Sequence, residues 1–198
     1  MAQLALIRHG ESEWNAKNLE CGWADVPLSE KGKTEAKLAA QNIKDDHWDV
    51  AFVSVLERSE ETLDIIKKIL DYHIPTISDK ALNERDYGDY TGRNKAELEK
   101  ELGKVELHGL RRGWNFPIPH GETLKDVYTR VVPYFKKVIL PQLEKGKNVL
   151  VSAHGNSLRA LVKYIDGISD KDIEYFELPT GKVRLYSFEN GKLELVHP

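Results

Sequence analysis

The sequence predicts an α/β fold with a largely parallel sheet, and three observations lead to this prediction. Short apolar runs alternate along the chain with stretches whose apolar residues recur at helical spacing. A strand–helix–strand order of this kind is typical of parallel sheets with right-handed crossovers. Near the end of the chain, Asn190-Gly191 lies between two apolar runs and predicts a hairpin. We therefore expect a mostly parallel mixed sheet that ends in a C-terminal hairpin.

The strands of this sheet are predicted from the apolar runs. The first run, Leu4–Ile7, is bounded by polar residues and glycine, which is typical of a buried strand. The other predicted strands span residues 48–55, 75–78, 147–152, 183–188 and 193–196. The sequence thus predicts six strands.

Four helices are predicted from apolar stripes and capping residues. Ser29 is a candidate N-cap for a helix whose alanines recur on one face. A second helix is expected over residues 57–70, and a fourth directly after the strand at 147–152. The third, capped by Thr123, is long and should bend at Pro133, because proline removes a backbone donor from the helix.

Residues 82–121 differ in composition from the rest of the chain. They combine clustered glycine, proline, aromatic and charged residues with a charged, helix-like stretch. This composition is typical of functional loops that lie over a scaffold rather than of a second core. We therefore expect residues 1–198 to form one domain, with 82–121 as an active-site loop region.

The composition excludes several classes of function. The 198 residues carry a net charge of -3, with 40% hydrophobic and 31% charged residues, so nucleic-acid or membrane binding is not expected. Cys21 is the only cysteine, which excludes an internal disulfide and favours a reducing, cytoplasmic location. No apolar run approaches the roughly 20 residues of a membrane span, and we expect no signal peptide.

Two of the predicted strands are followed by a histidine and a glycine. Arg8, His9 and Gly10 follow the first strand, and His154 and Gly155 follow the fourth. Ligands of open α/β sheets bind beyond the carboxyl ends of the strands, so the histidines are expected to face each other across one crevice. Guanidinium groups bind phosphate oxygens in pairs and favour a neutral, nucleophilic imidazole. These residues indicate phosphate chemistry, although so short a motif also fits an ordinary solvated strand end.

Each of the other candidate residues is weak evidence for a phosphate site by itself, and they indicate such a site only when taken together. Arg58 also fits a surface arginine paired with neighbouring glutamates, and Glu84 also fits a solvated carboxylate. The sequence contains neither a usual metal-ligand spacing nor a Walker-type glycine loop. Phosphate chemistry at this crevice would therefore use arginines and histidines without a metal.

Several segments, spread over nearly the whole chain, carry a family resemblance. They are L-I-R-H-G-E-S-E-W-N, G-W-A-D-V-P-L-S-E-K-G, L-N-E-R-D-Y-G-D-Y-T-G with Lys95, the pair Arg111-Arg112, G-E-T-L, A-H-G-N-S-L-R, D-G-I-S-D and L-P-T-G. Together, and in this order, they resemble the cofactor-dependent phosphoglycerate mutases of the histidine phosphatase superfamily. R-H-G marks only the superfamily, whereas L-N-E-R-x-Y-G, the arginine pair and H-G-N-S-L-R mark the mutase branch. The resemblance implies a phosphoglycerate mutase-like three-layer α/β/α sandwich.

The resemblance also implies a reaction. His9 would accept a phosphoryl group, and Glu84 would give and take the proton of the substrate hydroxyl. The phosphoryl oxygens would be held by Arg8, Arg58 and His154. The primer would be 2,3-bisphosphoglycerate, and the net reaction would interconvert 3-phosphoglycerate and 2-phosphoglycerate in glycolysis and gluconeogenesis. The other substrate-binding residues that the resemblance implies are Ser12, Asn15, Cys21, Gly22, Arg85, Tyr87, Lys95, Arg111, Arg112, Gly155 and Asn156.

Besides Ser59, a small change from the commoner Ala after Arg58, two features depart from the family pattern. Cys21 stands where relatives usually carry Ser or Thr, which puts a hydroxyl contact to substrate in question. The segment 114–120, which helps to cover the site in relatives, is shorter here, so water should be excluded less well. We therefore expect a side activity as a bisphosphoglycerate phosphatase.

Two other functions stay open at this point. A broad phosphatase of the same superfamily would use the same catalytic residues but would not need Lys95, Tyr87 and the arginine pair. A non-catalytic binding domain would keep the fold without the reaction. The family includes monomers, dimers and tetramers, so a homo-oligomer is also left open.

Overall fold

The computed structural model describes the backbone of residues 1–197 and the side chains of residues 1–196. Its centre is one six-stranded sheet with the order β3-β2-β4-β1-β5-β6. The strands are β1 (Ala2–Arg8), β2 (Val50–Val53), β3 (Thr76–Ser78), β4 (Val149–Ala153), β5 (Val183–Glu189) and β6 (Lys192–His197). β1 to β4 are parallel, whereas β5 pairs antiparallel with both β1 and β6. The mostly parallel mixed sheet with a C-terminal hairpin is confirmed.

Helices connect these strands and cover the sheet. They are α1 (Glu13–Ala16), α2 (Glu30–Gln41), α3 (Glu57–Leu70), α4 (Lys95–Leu102), α5 (Lys104–Arg112), α6 (Leu124–Tyr134), α7 (Leu140–Glu144) and α8 (Gly155–Asp166). Short 3₁₀ turns occur at Lys80–Leu82, Gly88–Tyr90 and Asp172–Glu174. Among the described residues, none of these helices combines the length and the apolar character that a membrane span requires.

The central strands β1, β2 and β4 are almost entirely buried, and side chains along each strand alternate between the two faces of the sheet. Leu4 and Leu6 of β1 pack in a cluster with apolar residues of α6 and α8. Ala5 and Ile7 of the same strand pack on the opposite face with residues of α2 and α3. The predicted three-layer α/β/α sandwich is confirmed.

The capping residues act as predicted. The Ser29 hydroxyl accepts a hydrogen bond from the Gly32 amide at the start of α2, and Thr123 forms a capping box with Asp126 at the start of α6. The long helix after Thr123 is less regular than expected. A π-helical turn over Phe135–Ile139 begins two residues after Pro133, which has no N–H to give to the preceding turn.

The region 82–121 contains more regular structure than the sequence predicts. It holds α4 and α5, and its residues Tyr87, Leu98, Leu107, Leu110 and Ile118 form a small apolar cluster of their own. The expectation that this region lacks a core is therefore wrong. The cluster forms because Leu98 of α4 and Leu107 and Leu110 of α5 lie on the buried faces of these two short helices.

Candidate active site

A polar pocket lies at the carboxyl ends of β1 and β4. It is lined by six cationic side chains, three carboxylates, one histidine and several small or polar residues. The lining residues are Arg8, His9, Asn15, Glu20, Cys21, Gly22, Arg58, Glu84, Tyr87, Lys95, Arg111, Arg112, Gly155, Asn156, Arg159, Glu177 and Leu178. So many cations around one concave surface make it suited to a strongly anionic ligand.

The two histidines meet because their strands are neighbours in register. Arg8 of β1 is paired with Ala153 of β4, and the next residues along the two strands are His9 and His154. The His9 amide continues the ladder by donating to the Ala153 carbonyl at 3.0 Å. The two imidazole rings lie with their centroids 4.9 Å apart. The histidines thus lie side by side, as the sequence predicts, but only His9 lines the pocket.

His9 is held in the tautomer that a nucleophile needs. Its Nδ1 lies 2.6 Å from the Gly10 carbonyl oxygen. A carbonyl only accepts, so Nδ1 carries the proton and Nε2 keeps its lone pair. Burial, together with the charges of Arg58 and Arg8, holds the pKa of His9 well below its ordinary value of 6.5. The ring is therefore neutral at physiological pH.

His154 lies behind the pocket and presents one unpaired nitrogen. Its Nε2 forms a 2.6 Å hydrogen bond with the Ser54 hydroxyl. Burial, and then the neighbouring Arg58, lowers its pKa well below the ordinary value, so this ring is neutral as well. When Ser54 donates to Nε2, Nδ1 carries the proton. Nδ1 has no partner within residues 1–196, so it is available to donate to a bound oxygen.

Arg8 and Arg58 are fixed by backbone carbonyls. Arg8 donates from Nη1 to the Leu178 carbonyl at 2.7 Å. Arg58 donates to the carbonyls of Ala24 and Gly22, both at 2.9 Å. The Nε–H of each arginine is buried and has no partner among the described side chains and backbone groups. A buried unpaired donor is costly, so each Nε–H favours an acceptor supplied by a ligand.

The Glu84 carboxylate is held from one side only. Its Oε1 accepts from the backbone amides of Arg85 at 2.7 Å and Asn156 at 3.0 Å. Gly155 lies beside it: a Cβ there would approach Oε2 of Glu84 to 3.5 Å and Cζ of Arg8 to 3.4 Å. These are ordinary van der Waals distances, so the carboxylate and the guanidinium both lie directly beside the start of α8. The second oxygen, Oε2, accepts no hydrogen bond from the described residues and can exchange a proton with a ligand.

A second group of cations lines the same pocket. Arg111 and Arg112 end α5, and the Lys95 amine donates to the Leu19 carbonyl at 2.9 Å. Two buried arginines hold the end of α5. Arg85 donates to the carbonyls of Leu110 (2.6 Å) and Arg111 (3.1 Å), and Arg159 donates to that of Arg112 (2.9 Å). Cations at a helix C-terminus are favourable, and here they fix the orientation of the arginine pair.

The loop before α2 forms the remaining wall. Asn15 and Cys21 line the pocket, and the Asn15 amide nitrogen lies 3.4 Å from the Cys21 sulfur. The Ser12 hydroxyl is buried beneath them, 3.5 Å from the same sulfur. Burial raises the pKa of the Cys21 thiol, which outweighs the opposing effects of Ser12 and Arg58. The thiol is therefore protonated and acts as a small polar wall.

The comparison with known families decides the classification. The family model described as "Histidine phosphatase superfamily (branch 1)" matches residues 4–198. The chain belongs to the histidine phosphatase superfamily. Curated relatives agree with this. The chain is 47% identical over 195 residues to a protein of Cytophaga hutchinsonii named 2,3-bisphosphoglycerate-dependent phosphoglycerate mutase, covering 98% of this chain and 91% of the relative. It is 49% identical over 186 residues to a protein of the same name from Chelativorans sp., covering 92% and 90%.

Solved structures of the superfamily share the fold. Bacillus stearothermophilus YhfR superposes with a TM-score of 0.85 at 23% identity, covering 99% of this chain and 96% of that one. A mycobacterial glucosyl-3-phosphoglycerate phosphatase in complex with VO3 superposes with a TM-score of 0.86 at 22% identity, covering 100% and 98%. At these identities, the likeness supports the histidine phosphatase fold and no particular substrate.

Thirteen of the sixteen residues that sequence analysis selects for this superfamily site line the pocket. The other three, Ser12, Arg85 and His154, lie directly behind it. Ser12 caps α1, and Arg85 holds the end of α5, so neither side chain lines the pocket wall. His154 stays within ring contact of His9. Residues 114–120, expected to help cover the site, contribute no lining side chain.

Four lining residues were not selected from the sequence: Glu20, Arg159, Glu177 and Leu178. Arg159 lies within the H-G-N-S-L-R motif, and Leu178 within L-P-T-G, so those motifs could have indicated both. Glu20 and Glu177 belong to no pattern of this kind. A lone glutamate is most often a solvated surface residue, and only the folded chain brings these two beside the arginine pair.

Proposed function

We propose that this chain is a 2,3-bisphosphoglycerate-dependent phosphoglycerate mutase, which interconverts 3-phosphoglycerate and 2-phosphoglycerate through a phosphohistidine at His9. The observation that carries the proposal is one pocket that is lined by His9 and also by a second set of cations, Lys95, Arg111 and Arg112. A ligand with two phosphates and a carboxylate needs cations at both ends. The names of the 47–49% identical relatives support the same reaction.

In this reaction His9 acts as the nucleophile. Its Nε2 lone pair forms a bond to phosphorus while the bond between phosphorus and the substrate oxygen breaks. The Nε–H groups of Arg8 and Arg58 and the Nδ1–H of His154 donate to the oxygens of the transferring group, which satisfies all three unpaired donors. Stabilisation of these oxygens in a buried pocket lowers the barrier more than the same contacts would in water.

Glu84 moves the proton. Its Oε2 gives a proton to the oxygen that leaves phosphorus, and takes one from the substrate hydroxyl when the phosphoryl group returns. The backbone amides of Arg85 and Asn156 fix the other oxygen, so the carboxyl group keeps one orientation. 2,3-Bisphosphoglycerate supplies the phosphoryl group that first loads His9, and the three unpaired donors fit such a phosphate.

The proposed enzyme needs no metal and acts in the cytoplasm on small phosphoglycerates. The described residues contain no group of three His, Cys, Asp or Glu side chains arranged to hold a metal ion. We expect turnover to persist after treatment with a chelator. Loss of turnover that added Mg²⁺ or Zn²⁺ restores would refute this part of the proposal.

The test measures conversion of 3-phosphoglycerate to 2-phosphoglycerate with and without 2,3-bisphosphoglycerate. We expect primer to stimulate conversion and to leave an acid-labile phosphoryl group on the protein. His9→Asn should abolish both. Release of phosphate that matches or exceeds conversion would identify a phosphatase, and binding without a phosphoenzyme would identify a non-catalytic domain.

The same assay measures the phosphatase side activity expected from the short segment 114–120. No residue of that segment lines the pocket, so the segment forms no wall that keeps water away from His9. We expect slow but measurable release of phosphate from 2,3-bisphosphoglycerate. Negligible release beside mutase turnover would show that the remaining cover excludes water well enough.

A further inference from the structure

Glu177 forms ion pairs with two arginines of the pocket. Its Oε2 lies 2.8 Å from Nη2 of Arg112, and its Oε1 lies 3.9 Å from Nη1 of Arg8. One carboxylate thus bridges Arg8, which precedes His9 in the chain, and Arg112 at the end of α5. An anionic group of a bound ligand would make the same bridge.

The surroundings of Glu177 keep it ionised. Burial alone would raise its pKa, but the hydrogen bond from Arg112 and the charges of Arg112, Arg8 and Arg111 outweigh burial and lower the pKa. The carboxylate therefore carries its full negative charge near neutral pH. It cancels part of the positive potential that attracts a ligand.

Glu177 can leave this position, whereas the other unassigned carboxylate cannot. The side chain of Glu177 is 52% exposed and follows the short turn Asp172–Glu174 in the connection to β5. The Glu20 side chain, paired with Arg111 at 3.1 Å, is only 4% exposed and is fixed in the pocket wall. Of the two, Glu177 alone has solvent into which its carboxylate can rotate.

We propose that Glu177 is a specificity-determining residue, an internal counterion that occupies Arg8 and Arg112 and gives way when an anionic group of the ligand binds. The identity of the ligand rests on the proposed function. Every ligand that binds both arginines must displace the Glu177 carboxylate from them, and the free energy of that displacement is the same for each ligand. The repulsion that remains after displacement grows with ligand charge, so Glu177 weakens binding of 2,3-bisphosphoglycerate more than binding of 3-phosphoglycerate.

The test compares ligand affinities in a His9→Asn background, in which no phosphoryl transfer can occur during the measurement. Glu177→Gln is titrated with 3-phosphoglycerate, 2,3-bisphosphoglycerate and inorganic phosphate by calorimetry. Glu174→Gln is the matched control, because Glu174 lies three residues earlier and pairs with His108 outside the pocket. Glu177→Asp keeps the charge on a shorter side chain.

We expect Glu177→Gln to tighten binding by about threefold for 3-phosphoglycerate and by about tenfold for the bisphosphate. The affinities of Glu174→Gln should match those of the His9→Asn parent. Those of Glu177→Asp should lie between the affinities of the parent and of Glu177→Gln. Both gains should shrink in about 0.5 M salt, since the carboxylate is half exposed and is screened. A purely structural role for Glu177 would instead weaken binding and lower the unfolding midpoint.

Unchanged affinities in Glu177→Gln, or equal gains for the two phosphoglycerates, would overturn the proposal. A parent that binds neither phosphoglycerate would count against the proposed function instead. In that case the affinity for inorganic phosphate tests the role of Glu177 separately from the proposed function. Tighter phosphate binding in Glu177→Gln supports the internal counterion, and unchanged phosphate binding refutes it.

Discussion

Mild acid should destabilise this protein through its two pocket histidines. His9 and His154 are buried and neutral, with pKa values well below 6.5 in the folded chain, whereas the unfolded chain binds a proton at each near pH 6.5. Below that pH the unfolded state therefore holds more protons, and the free energy of unfolding falls as the pH falls. Above about pH 6.5 their contribution is fully present.

The magnitude follows from the same two shifts. Between about pH 7 and pH 5, each histidine that stays neutral in the folded chain lowers the free energy of unfolding by about 2 kcal/mol. The two histidines together lower it by about 4 kcal/mol. This is a large share of the 5–15 kcal/mol that is typical of folded domains. His9→Asn removes one of the two groups, so its loss of stability over the same interval should be smaller by about 2 kcal/mol.

The assay is urea unfolding followed by tryptophan fluorescence, at about pH 7 and about pH 5, for wild type and His9→Asn. Other groups, including Glu20, whose pKa burial raises, act alike in both proteins and cancel in the comparison. His73→Asn is the control, because that ring is exposed to water in the folded chain. If His9→Asn loses as much stability in acid as wild type does, the buried neutral imidazole is refuted.

Three further predictions concern single residues of the site. Glu84→Gln should lower kcat by about 100-fold or more while His9 is still labelled by the bisphosphate, and equal turnover would refute the proton-transfer role. Gly10→Ala would bring a Cβ within 2.2 Å of the Gly32 carbonyl oxygen. It should lower the free energy of unfolding, measured in urea, by about 3 kcal/mol, and an unchanged free energy would contradict that contact. Arg159→Met should raise the KM for phosphoglycerate about tenfold with kcat little changed, because it releases the end of α5, and a loss confined to kcat would contradict this.

The sheet could be predicted from the sequence because its signals are local. Ser29 caps α2, and apolar runs mark each strand within a few residues of its observed ends. The helix expected over 57–70 has those bounds in the structure. The π-helical turn after Pro133 could not be predicted, since it depends on how the surrounding core accommodates a missing backbone donor.

The site was predicted wherever a motif connects residue type to position along a strand or helix. His9 and His154 each follow a strand, so their meeting required only that β1 and β4 be neighbours. Arg85 shows the limit of a motif. It lies next to Glu84 in the sequence, but its side chain turns away to the end of α5. Glu177 shows another limit, because only tertiary contacts bring it to Arg112.

The parallel pairing of β1 with β4 separates two tasks within one pocket. Main-chain hydrogen bonds set the spacing of the imidazoles, and no side-chain substitution alters that ladder directly. The groups that would select the ligand lie instead on α5 and on the connection to β5. Evolution can therefore change the accepted metabolite by exchanging peripheral segments, while the reaction itself is inherited unaltered.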